Sequence, residues 1–148
     1  MRFFDKIFGK DQNSADKNAP STAEEYYNLG VSGYENFDAG WREQLEQAYA
    51  LGSAKAARFL GRIAEKDLQF PLAEKWYQKG YAIDRILCAP DFGRLYLRSW
   101  DGSGRPQNLK KAEYFLKMAA DAGDETSASL LTEGVRIQFC SICTYSSR

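Results

Sequence analysis

The chain has 148 residues, 20 Lys plus Arg balanced by 20 Asp plus Glu, and no histidine. That length fits one domain with a real core, and the zero formal charge gives no whole-molecule field for nucleic acid or an anionic membrane. The missing histidines remove the commonest general base and metal ligand, so an enzyme is not expected, nor a cofactor or metal.

Cys88, Cys140 and Cys143 are an odd set spread over a helix and a tail, which is not the pattern of a secreted disulfide scaffold. No stretch reaches the roughly 18 apolar residues that span a bilayer, and the first residues lack the apolar run of a secretory signal. The expected location is the cytoplasm.

In chain order, MRFFDKIFGK sets Phe3, Phe4, Ile7 and Phe8 against Arg2, Lys6 and Lys10. This is an amphipathic turn or two that suits weak contact with a membrane surface or docking back onto the domain. Residues 11–20, DQNSADKNAP, are nearly free of apolar side chains and read as a linker, so residues 1–20 stand apart from the repeat domain expected over 21–134. Ser21-Thr22-Ala23-Glu24-Glu25 then offers two overlapping capping boxes.

A first helix from about Thr22 fades by Asp38, and a second runs from Trp41 to a stop at Gly52. A third helix carries Ala54 to Ile63 and breaks before Phe70-Pro71, because proline disfavours helical geometry in the residue before it. Pro71 can open the fourth, which extends to about Ile83. A fifth is expected from about Ala89 to Trp100 and a sixth from Asn108 to Ala122, stopped by Gly123. Asp124 caps a last helix, and a tail covers 135–148.

The chain repeats itself. Leu29-Gly30, Leu60-Gly61 and Phe92-Gly93 recur on the first helix of each pair, with glycines 31 and 32 residues apart. On the second helices, AEKWYQKGYAID from Ala73 aligns without a gap on AEYFLKMAADAG from Ala112. Small residues at fixed turns let neighbouring helices approach closely, and a single hairpin cannot bury its own apolar face, so about three must stack. The expected fold is an all-α solenoid of about three helical hairpins with a C-terminal capping helix.

Phe92-Gly93-Arg94-Leu95-Tyr96, Asp101-Gly102-Ser103-Gly104, Lys111-Ala112-Glu113-Tyr114-Phe115 and Ala119-Ala120-Asp121-Ala122-Gly123-Asp124 together resemble one complete Sel-one-like repeat, a branch of the tetratricopeptide-type helical repeats. The hairpin from Ser53 to Asp84 is similar but lacks the glycine-rich loop and carries Asp84 where a closing glycine belongs. The resemblance implies a right-handed array whose first helices line a concave surface, and a role as an adaptor or scaffold that binds a protein there. The alternative is an immunity or antitoxin protein that binds and neutralises a cognate toxin.

When the first helices are aligned on their glycines, Arg62 matches Arg94 and Lys66 matches Arg98, with Arg58 one turn before. Like charges at a spacing of four repel by a few tenths of a kcal/mol, so this column needs acidic neighbours, solvent or an anionic ligand. It is either a cradle for an acidic protein segment or a solvated face offset by Glu65, Asp91 and Asp101. The many aromatic residues read mainly as interlayer core, with Tyr34 and Trp100 as the candidates for exposed interface anchors. Cys140-x-x-Cys143 lacks the further ligands of a zinc site, and Gly102-Ser103-Gly104 lacks the strand and the Lys-Ser/Thr of a phosphate loop.

Overall fold

A computed structural model describes residues 19–98 and 106–133, with side chains in the second stretch from Asn108 onward. All regular structure among the described residues is helical: α1 (Ala23–Asn36), α2 (Trp41–Ala50), α3 (Ala54–Lys66), α4 (Phe70–Ile83), α5 (Arg85–Leu97) and α6 (Pro106–Asp121), then α7 over 125–133. The expected all-α stack of hairpins is the observed fold. The pairs α1/α2, α3/α4 and α5/α6 pack within themselves, and α2 on α3 and α4 on α5 join one pair to the next.

Every first helix starts on a side-chain cap. Thr22 Oγ1 accepts from the Glu25 amide at 3.2 Å while Glu25 reaches back to the Thr22 amide at 3.0 Å, so the Thr22–Glu25 capping box forms. Glu24 instead pairs with Lys55 at 3.3 Å, while Ser21 donates its amide to Glu25 at 2.7 Å. Ser53, Asp84 and Asp124 accept from the amides of Ala56, Leu87 and Ser127 at 3.2, 3.0 and 2.8 Å. The caps at 22, 53 and 84 keep the spacing of the repeat.

This corrects the start of the fifth helix. It begins at Arg85 rather than near Ala89, because Asp84 ends α4 in an extended conformation and its carboxylate caps α5 at once. No closing glycine is needed where a single residue serves both helices. Pro90 consequently lies inside α5, where it withholds one amide from the helix ladder.

Four helices end in one hydrogen-bond pattern, with a left-handed residue followed by an amide that reaches back five positions. Asp38 N–H donates to Gly33 O at 2.8 Å, Ser53 to Ala48 at 3.0 Å, Gln69 to Ala64 at 2.8 Å and Asp124 to Ala119 at 3.0 Å. The left-handed residue is glycine after α2 and α6 (Gly52, Gly123), but Phe37 and Leu68 after α1 and α3, with φ of 59° and 60°. That conformation costs a residue with a side chain roughly 1–2 kcal/mol.

The registered glycines face the second helix of their own hairpin. A Cβ at Gly30, Gly61 or Gly93 would fall under 3.0 Å from Leu45, Tyr77 or Leu116, respectively. Around these contacts Leu45, Ala48, Leu60 and Trp76 build one core and Tyr77, Phe92, Leu95 and Tyr96 a second. Phe92, Tyr96 and Phe115 stack with centroids 4.7–5.9 Å apart. Tyr114 departs from the expected core, being exposed on the outer side of α6.

The candidate basic face

The first helices stand side by side and are joined by polar contacts. Lys55 reaches Glu24, and Lys66 Nζ donates to Tyr34 Oη at 3.3 Å, both from α3 to α1. Arg58 pairs with Asp91 and Arg98 Nη1 with Glu65 Oε1 at 2.8 Å, both between α3 and α5. Lys66 and Arg98 occupy matching positions and each reaches back one layer, the first to a phenol and the second to a carboxylate.

All five cations of the expected column share this face, in two different settings. Asp91 is fully buried and receives Arg58 and Arg94 in direct ion pairs, with Arg62 Nε 3.9 Å away. Burial opposes the charge on Arg58 but Asp91 outweighs it, so the guanidinium stays protonated above its ordinary range. One turn further along, Arg62, Lys66, Arg94 and Arg98 with Glu65 line an open groove of about 260 Å³. Arg62 also borders a second hollow of about 180 Å³ with Tyr27, Lys55, Arg58, Phe59 and Leu87. Both acceptors expected among the described residues, Glu65 and Asp91, serve the column; Asp101 lies outside them.

Five cations therefore meet two carboxylates, and both carboxylates are already engaged. Glu65 accepts Tyr77 Oη at 2.8 Å on its second oxygen, and burial, then the charges of Asp91 and Glu65, raise the Tyr77 pKa. Arg62 and Arg98 keep 55% and 65% of their side chains in solvent, which leaves positive charge free to meet an anion.

Asp91 is the residue whose importance the sequence understated. On the glycine register it falls where the second hairpin carries Phe59, and a carboxylate at a core position requires buried partners. That mismatch was the available signal. Tyr34 is half-buried rather than a free anchor: its ring meets Trp41 and Phe59 edge to face at 5.1 and 5.7 Å. Its hydroxyl accepts from Lys66, whose ammonium also stands 5.8 Å from the ring centroid. Trp100, the apolar residues Phe3, Phe4, Ile7 and Phe8, and the pair Cys140 and Cys143 lie outside the described residues.

Among the described residues no cluster of three metal-ligating side chains occurs. Cys88 is buried and free, and burial followed by the charge of Asp91 pushes its thiol up to about 12, away from nucleophilic chemistry. No described helix is long and apolar enough to cross a membrane. The arrangement of this face is suited to electrostatic recognition. No protein-family model matches the chain, and no curated protein matches it in sequence.

Proposed function

We propose that the chain is a non-catalytic protein-binding module of the Sel-one-like kind, an adaptor or scaffold of the cytoplasm, whose first-helix face cradles an acidic segment of a partner protein. The observation that carries this reading is the groove between α3 and α5, lined by Arg62, Lys66, Arg94 and Arg98 against Glu65 alone. Arg94 is tied back to Asp91 and so presents a fixed donor, whereas Arg62 and Arg98, each more than half exposed, have further donors to turn onto an incoming carboxylate.

A glutamate-rich peptide serves as the probe. It should bind the full chain with an affinity that falls as salt rises, and R62E/R98E should weaken it at least tenfold with the helical circular dichroism unchanged. Equal binding by wild type and variant, or binding indifferent to salt, would sink the proposal. Affinity purification from the native source, with crosslinking, should place the partner on α3 and α5.

A further inference from the structure

Phe37 and Leu68 are the most exposed large apolar residues described, at 94% and 74% of their full accessible area. They occupy the same place in successive hairpins, 31 residues apart like Gly30 and Gly61. Both sit at the left-handed position of the turn, which Gly52 and Gly123 fill elsewhere. A glycine would close either turn without strain, and a polar side chain would do so without presenting apolar area to water. Turn formation explains the backbone here but neither side chain.

The Lys66–Tyr34 bond ties the ends of α1 and α3 together just before these turns, so the two tips form one edge. Exposed Glu35, Asp38 and Asp67 flank it and outnumber the exposed Lys66 at the same edge. An apolar edge with an acidic rim disfavours a second copy, because two such rims would repel, and it disfavours an anionic membrane for the same reason. It favours a short helix with an apolar face and a basic flank.

The sequence of residues 2–10 has the pattern of one. Phe3, Phe4, Ile7 and Phe8 share one helical face and Arg2, Lys6 and Lys10 another. The intervening residues 11–18 can span up to about 28 Å, against about 21 Å for the length of α1. We propose that residues 2–10 dock in cis on the edge formed by Phe37 and Leu68, their cations toward Glu35, Asp38 and Asp67.

The test uses the full chain and backbone amide NMR on two double variants. F4E/F8E alters the segment alone, and F37G/L68G alters the tips with a residue that suits the turn, so both keep the fold. Docking in cis requires F4E/F8E to shift amides at 35–38 and 66–69, F37G/L68G to shift amides of 2–10, and both shifts to be independent of concentration. Silence at either end overturns the proposal. Shifts that grow with protein concentration overturn it in favour of a second copy. Loss of the segment's signals only on adding phosphatidylserine vesicles, with the tips unmoved, overturns it in favour of a membrane.

Discussion

Around Asp91 the cations Arg58 and Arg94 are held in place, whereas one turn along Arg62, Lys66 and Arg98 make looser polar contacts and are largely exposed. All belong to one sequence column: basic residues four apart along α3 (Arg58, Arg62, Lys66) and along its neighbour α5 (Arg94, Arg98). What separates them is one fully buried carboxylate. Where it lies close, Arg58 and Arg94 become part of the packing between layers; further off, Arg62 has only a 3.9 Å approach to it, Arg98 pairs with Glu65 and Lys66 meets the Tyr34 hydroxyl. A column of like charges is therefore two devices, a staple and an open surface, and their responses to perturbation should differ.

The strongest test removes the staple. D91A leaves Arg58 and Arg94 partly buried without their counter-ion, and breaking such a pair costs about 3–5 kcal/mol, a large part of the stability of a domain this size. Urea unfolding should show it. A loss no greater than that of an exposed pair would erase the distinction between the two halves. Next in size is G93A, whose methyl would press on Leu116 and push α5 off α6, carrying Asp91 with it. Overpacking of this kind costs about 1–3 kcal/mol, read in the same experiment.

The held half should also respond to alkali. Burial raises the Tyr77 and Cys88 pKa values above those of the unfolded chain. Groups raised in the folded state contribute stability that is fully present below their unfolded values and lost as pH climbs. Unfolding free energy should thus decline from about pH 9.0 toward about 12, and C88A should flatten the first part of that decline. The smallest effect belongs to the open half. R98A removes an ion pair whose arginine is 65% exposed, and such pairs contribute about 0.2–1 kcal/mol, so its melting temperature should barely move.

The fold was legible because its signals are local. Capping residues, Pro71 near the start of α4, Gly52 and Gly123 at stops, and the glycine registers each act through backbone geometry within a few residues. The registers predicted close approach, and Gly30, Gly61 and Gly93 each make it. The start of α5 was not legible because no glycine separates it from α4, and Asp84 acts as stop and cap together. Phe37 and Leu68 were illegible for a related reason: nothing in their side chains announces a left-handed turn, which the preceding helix imposes through its end carbonyls.

The candidate site was half legible. Spacing placed the five cations on one face, since that follows from helical periodicity and the repeat. It could not say which were neutralised, because Asp91 meets Arg58 only when α5 packs beside α3, 33 residues away. By itself the sequence determined the helices, their pairing and the column, all properties of turns and periods. The tertiary structure alone decided that one part of the column is buried structure and another an open groove, because burial and counter-ion distance exist only once the layers are stacked.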